Sequence, residues 1–300
     1  MTRIKKILMA MAAVFTVVCV SVTQIGAEAV YIVDGYSYNI LTNTTIAICG
    51  WDNSSPDFVV PDAITGRKVV SIADTGLKNN QEITSVDFSH TTELSSIGYQ
   101  AFYGCQNISN DLIIPETVDN LSISAFEGCS SIPSVDIKGN VSTIPMQCFY
   151  QCESLTAVTL PESVRTIEKF AFANCTDLEY VALPHDASSI AMSAFTNDPN
   201  LTLGVWYGTT GYDYAIAKNI PYILLDGVKL GDVNGDGIVN INDVTAIQQH
   251  LAEYVSLEGI FLHAADADQN GEVKIDDATL LQEFLAEYTV GHPVGEVMTQ

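Results

Sequence analysis

At 300 residues the chain is about twice a common domain length, so one large or two smaller folding units are expected. Twelve Lys and Arg stand against 36 Asp and Glu, a formal net charge of −24. Phosphate binding needs a basic face, so this balance argues against a nucleic-acid partner and suits an exported, soluble, cation-binding protein.

The N-terminus reads as an export signal. Arg3, Lys5 and Lys6 precede an apolar run over residues 7–22, and Ala27-Glu28-Ala29 offers a small-x-small cleavage site. That run is short for a membrane span, and no other stretch is long and apolar enough for one. A signal peptide over 1–29 is therefore expected, with the mature chain soluble and outside the cell. Six of the seven cysteines lie beyond it, in a setting that permits disulfides.

Residues 30–60 hold strand-like runs (YSYNIL, TIAIC, DFVV) separated by turn formers such as Asp34-Gly35. From about residue 90 the chain repeats itself. Phe102, Phe126, Phe149, Phe172 and Phe195 follow one another at steps of 24, 23, 23 and 23. Before them stand Ala101, Ala125, Cys148, Ala171 and Ala194. Five places earlier come Ile97, Leu121, Ile144, Ile167 and Ile190, and six places later Ile108, Ile132, Leu155, Leu178 and Leu201. Three places later sit Cys105, Cys129, Cys152 and Cys175, with Asp198 replacing Cys in the last copy. The pairs Val135/Ile137, Val158/Leu160 and Val181/Leu183 alternate as short strands do. One strand per repeat of about 23 residues is the leucine-rich-repeat range. Each turn of such a solenoid has an apolar edge that only its neighbours can bury.

The pattern I-x-x-x-A-F-x-x-C-x-x-L-x-x-V-x-L-P, over about residues 59–203, resembles the BspA-like leucine-rich repeats of bacterial surface and secreted proteins. The resemblance implies an α/β solenoid of parallel strands with short helical or turn segments and capped ends. It would occupy residues 30–226: a β-hairpin cap at about 30–60, repeats at about 61–203, and a C-terminal cap at about 204–226 with a short helix near 214–218 and a final strand. Successive rungs lie about 4.8 Å apart, near enough for neighbouring cysteines to bridge, yet Cys also packs well as a small inward-facing hydrophobe. Buried free thiols are expected, with Cys148 and Cys152, in one turn, the pair nearest to an exception. His90, His185 and the cysteines show no metal-ligand spacing. The exposed strand residues Asp136, Lys138, Thr159 and Ala182 are mixed and small, without an aromatic platform for sugar, which favours a protein or peptide ligand.

A short connection, residues 227–230, leads to two related loops. In DVNGDGIVNIND, Asp232, Asn234 and Asp236 take places 1, 3 and 5, Gly237 place 6, Asn240 place 9 and Asp243 place 12. In DADQNGEVKIDD, Asp266, Asp268, Asn270, Gly271 and Asp277 recur at an offset of 34. That is the order of an EF-hand loop, where a hard cation needs six to eight oxygens and glycine permits the sharp turn. An amphipathic helix is expected after each loop, through Val244, Ile247, Leu251 and Tyr254, and through Ala278, Leu281, Leu285 and Tyr288. No helix is expected before the first loop, unlike a calmodulin-type hand.

Loop and following helix, twice, with a connector of about ten residues, resembles the type I dockerin of cellulosome-type assemblies. It would be a small all-α module over 231–290 with two EF-hand-like motifs, followed by a tail over 291–300. The resemblance implies two calcium ions and a cohesin partner on a scaffold protein. The first ion would take Asp232, Asn234, Asp236, Asp243, the carbonyl of Ile238, and Asn240 directly or through water. The second would take Asp266, Asp268, Asn270, Asp277 and the carbonyl of Glu272, with Lys274 at place 9 unable to ligate. Partner-reading positions carry over to Ile241, Asn242, Gln248, Gln249 and Glu253, and to Ile275, Asp276, Gln282, Glu283 and Glu287. With twelve acids and one base in 231–290, the module is expected to need metal to fold.

Taken together, a non-catalytic secreted protein is expected. It docks on a cohesin and presents the solenoid to a protein or glycan ligand, in plant polysaccharide degradation or adhesion. The competing readings are a cellulosomal carbohydrate-active enzyme and a calcium-dependent cell-surface adhesin. Against an enzyme, the repeats use up residues 30–226, and no nucleophile elbow, zincin motif or paired acids of glycosidase type occur.

Overall fold

The computed structural model describes residues 29–206, 208–225 and 227–296. The export signal expected over 1–29 lies outside these, apart from its last residue, as does the end of the tail from 297. The chain divides into two compact units, Met1–Leu203 with Gly208–Pro221, and Gly204–Tyr207 with Tyr222–Gln300.

The first unit opens as an antiparallel meander, Val30–Val33, Tyr36–Ile40 and Thr45–Trp51. Asp34 and Gly35 both have positive φ, 49° and 87°, the conformation a tight hairpin needs. Thr45–Trp51 then pairs in parallel with Arg67–Ile72, and parallel addition continues through Ser96–Ile97 and Asn120–Leu121. The same column resumes as Thr143–Ile144, Thr166–Ile167 and Ser189–Ile190. A second column stacks Leu112–Ile114, Ser134–Ile137, Ala157–Thr159 and Tyr180–Ala182, with Val135 opposite Leu112 and Val158, and Val158 opposite Val181. In-register stacking follows from the period, because a slip of one residue would turn every apolar side chain outward.

A third column forms at the Ala-Phe turn, within the short helical or turn segments expected of the solenoid. Among the described residues of 70–202 these stretches are turns, not helices. The reason lies in pairs of left-handed residues four apart: Gln100 and Gly104, Ser124 and Gly128, Gln147 and Gln151, Phe170 and Asn174. Thr75 and Asn79 flank Leu77 in the same way in the degenerate first repeat. A helix cannot hold such residues. Between them the amides alternate. Those of Gln100, Phe102 and Gly104 donate to the carbonyls of Ile123, Ala125 and Glu127 one rung on (3.1, 2.8 and 2.7 Å), while those of Ala101, Tyr103 and Cys105 close local turns. Glycine suits place 104, where a Cβ would stand 2.5 Å from Asn79 Oδ1.

This geometry points each Phe at the axis. The rings of Phe102, Phe126, Phe149, Phe172 and Phe195 stack at 5.1–5.5 Å, within 9° of parallel. Phe58 closes one end edge-on at 6.2 Å, and Tyr214 tilts across the other at 6.0 Å. Tyr214 belongs to helix α1 (Thr210–Lys218), longer than the expected 214–218. Thr209 caps its start by accepting the Tyr212 amide, and Asn219, with φ 53°, ends it. Cys105, Cys129, Cys148, Cys152 and Cys175 are buried free thiols.

In the second unit, strand Tyr222–Leu224 precedes helices α2 (Ile241–Leu251), α3 (Gly259–Ala265) and α4 (Ile275–Leu285). Val233, Val244, Ile247, Ala265, Ala267, Ala278, Leu281 and Val294 form its core. Short helix α3, ahead of the second loop, lies within the expected connector. The stretch after 290 is tied in: Leu230 donates to Glu296 (2.8 Å) and Gly295 to Leu230 (2.7 Å), which brings Val294 into the core. Tyr254 and Tyr288 do not continue the buried helical stripe. The helices stop at Leu251 and Leu285, Glu253 and Glu287 turn left-handed (φ 60° and 62°), and both tyrosines project outward, 85 % and 69 % exposed.

Candidate metal centres and docking face

Each loop is held by its first and last carboxylates. Asp243, fully buried, accepts the amides of Val233 (2.8 Å) and Asn234 (3.0 Å) at Oδ1 and that of Asn240 (2.7 Å) at Oδ2. Asp232, 2 % exposed, accepts those of Gly235, Asp236 and Gly237. Asn234 Oδ1 accepts the Asp236 amide and Asp236 Oδ1 that of Ile238. Asn240 caps α2 and also donates its side-chain amide to the Ile238 carbonyl (2.9 Å). Gly237 takes φ 82°, as the turn at place 6 requires.

The second loop repeats this. Asp277, also fully buried, accepts the amides of Asp268 (3.2 Å) and Lys274 (2.8 Å). Asp266 accepts those of Asn270 and Gly271, and Asn270 Oδ1 that of Glu272. Gly271 has φ 92°. Oxygens of Asp266, Asp268 and Asp277 lie within 4.8 Å of one another. At place 9 the Lys274 ammonium pairs with the Glu272 carboxylate.

The electrostatics favour a cation. Burial pushes the Asp243 carboxyl up, its three amide partners hold it down, and the charge of Asp232 pushes it up further. Among the described residues no Lys, Arg or His forms an ion pair with Asp232, Asp236, Asp243, Asp266, Asp268 or Asp277. Lys229 donates instead to the Gly237 carbonyl, at 2.9 Å. An all-oxygen set of carboxylates, amide oxygens and a carbonyl fits a hard divalent ion.

All ten positions expected to read a partner are exposed: Ile241, Asn242, Gln248, Gln249 and Glu253, and Ile275, Asp276, Gln282, Glu283 and Glu287. Ile241 and Ile275 are 59 % and 58 % exposed at the first residues of α2 and α4, so they do not pack beneath their loops. Glu253 and Glu287 sit past the helix ends. Tyr254, Val255 and Tyr288 add exposed apolar surface that the sequence reading placed inside or passed over. Ala-Glu-Tyr closes both copies without a glycine to mark the helix end, so the sequence carries no stop signal there.

Comparison with known proteins agrees with this division. Residues 70–202 match the BspA type leucine rich repeat region in six copies, and residues 230–286 the dockerin type I domain. No curated protein matches the chain. Among solved structures, a leucine rich cell surface protein from Faecalibacterium prausnitzii is 23 % identical over 60 % of this chain, with a TM-score of 0.47. The chain spans 55 % of that protein. A leucine rich repeat protein from T. pallidum is 22 % identical, over 60 % of this chain and 86 % of its own, with a TM-score of 0.48. One from Eubacterium ventriosum is 19 % identical, over 53 % and 49 %, with a TM-score of 0.41. The chain carries a BspA-type leucine-rich-repeat region over residues 70–202 and a type I dockerin domain over residues 230–286.

Proposed function

We propose that this is an exported, non-catalytic repeat protein that docks through its dockerin onto a cohesin of a cellulosome-type scaffold. The solenoid then serves as a binding surface for a protein or glycan in plant polysaccharide degradation or adhesion. The observation that carries this reading is the pair of loop–helix units, offset by 34 residues, each presenting the same five exposed positions beside an oxygen-lined loop.

Each loop would hold one calcium ion, two in all. The first set is Asp232, Asn234, Asp236, Asn240, Asp243 and the Ile238 carbonyl, and the second Asp266, Asp268, Asn270, Asp277 and the Glu272 carbonyl. When bound, calcium supplies the positive charge that lets these carboxylates lie together. The chain's own residues do the rest. Asp243 and Asp277, as the third residues of α2 and α4, join loop to helix, so closing a loop sets the direction of its helix. Ile241 and Ile275 would be the apolar anchors and the Gln and Glu side chains a polar rim, the usual make-up of an interface.

The test is titration against a panel of type I cohesins with calcium present. Because either copy could lead the contact, Ile241→Asp and Ile275→Asp are combined; the pair should weaken binding at least a hundredfold while calcium-dependent circular dichroism stays as in the wild type. Undiminished cohesin binding by the double variant would remove these positions from the interface.

A further inference from the structure

The cysteine ladder of the solenoid ends in an acid, and the hydrogen bonds around that acid break a pattern kept in every earlier rung. Each central carbonyl of the ladder takes two donors. Leu77 receives the Asn80 amide (3.1 Å) and the Cys105 thiol (3.0 Å). Phe102 receives the Cys105 amide and the Cys129 thiol, both at 3.1 Å. Phe126 receives the Cys129 amide and the Cys152 thiol, and Phe149 the Cys152 amide and the Cys175 thiol.

At Phe172 both donors change. The Cys175 amide turns away to Asp198 Oδ1, at 2.8 Å, and the place of the next thiol is occupied by Asp198 itself. Its second oxygen, Oδ2, is buried and lacks a hydrogen-bond partner. A carboxylate there would set an unpaired charge next to a buried carbonyl. A carboxylic acid would supply the missing donor.

We propose that Asp198 completes the ladder as a neutral carboxylic acid, giving its Oδ2 proton to the Phe172 carbonyl where earlier rungs use a thiol, so that ionisation loosens the last turn under α1. The titratable groups that face it are the Cys175 thiol of the preceding rung and the Tyr214 phenol of α1. Among the described residues no Lys, Arg or His is paired with it. Burial pushes the Asp198 carboxyl up to about 7, against the opposing pull of the Cys175 amide. An unfolded Asp ionises near 3.9, so the folded chain holds this proton more tightly than the unfolded one. The resulting stability is full below about pH 4 and is lost as pH rises through about 7. The solenoid end is thus a pH-sensitive latch, tighter in acid.

The experiment is thermal melting of the full chain in saturating calcium at pH 5 and pH 8, for the wild type, Asp198→Asn and Asp198→Cys. Asn offers the Phe172 carbonyl a donor and the Cys175 amide an acceptor at any pH, and Cys restores the ladder. At pH 8 both variants should melt several degrees above the wild type, and at pH 5 that advantage should vanish for Asn. Titration of the Asp198 side-chain carbon signal, assigned by its loss in Asp198→Asn, should have its midpoint near 7. A midpoint below 5, or an Asn variant that melts with the wild type at both pH values, overturns the proposal.

Discussion

Single residues do two separable jobs here. Along the solenoid axis the five stacked Phe rings are all buried, so each is held by the rungs on both sides. Phe126 lies within this column, where no partner can relax into solvent. Phe126→Ala should cost about 3–5 kcal/mol, the range for a large ring removed from a packed interior, as read by denaturant unfolding of the full chain. The thiols beside the rings play a quieter part. Burial pushes each of them up, Cys105 to about 12, so they stay protonated, and Cys105, Cys129, Cys152 and Cys175 donate to carbonyls. Their spacing alone left bridging open. What the sequence could not show was that the sulfurs of Cys105, Cys129, Cys152 and Cys175 already had an acceptor in the rung behind them.

At the scale of elements, the repeat positions were legible because a period of 23 leaves few ways to bury one Phe, one Cys and one Leu per turn. The conformation of the Ala-Phe turn was not. Gln, Ser, Asn and Gly at most of its left-handed places look like ordinary surface residues, Phe170 being the exception, and only the recurrence of these places two residues either side of the axial Phe carries the signal. The calcium-type loops were readable for the opposite reason, since oxygen donors at alternate places followed by glycine form a local pattern. Helix ends were less so, as Tyr254 and Tyr288 fit the apolar spacing of α2 and α4 and yet lie beyond them. The closing strap over 293–296 escaped notice because its contacts are with Leu230, far away in sequence. Truncation after Val290 removes the buried Val294 and two backbone hydrogen bonds. It should cost the helical module about 2–4 kcal/mol, from the burial of one aliphatic side chain and two net hydrogen bonds, measured by melting in calcium.

For the whole molecule, the proposed function divides attachment from presentation between the helical module and the solenoid. The solenoid stands on backbone ladders and an apolar axis. The helical module brings twelve acids against one base into residues 231–290, and its loops close through amides donated to buried Asp232, Asp243 and Asp277. Such a module repels itself until cations offset the charge, so its partner affinity should follow calcium. Among the described residues no helix is long and apolar enough to cross a membrane. The measurement that tests this account most directly is calorimetric titration of a type I cohesin into the full chain, with calcium and with excess chelator, alongside Asp232→Ala combined with Asp266→Ala. The account predicts tight binding in calcium, a loss of at least a thousandfold with chelator, and a comparable loss in the double variant. Equal affinity with and without calcium would contradict it.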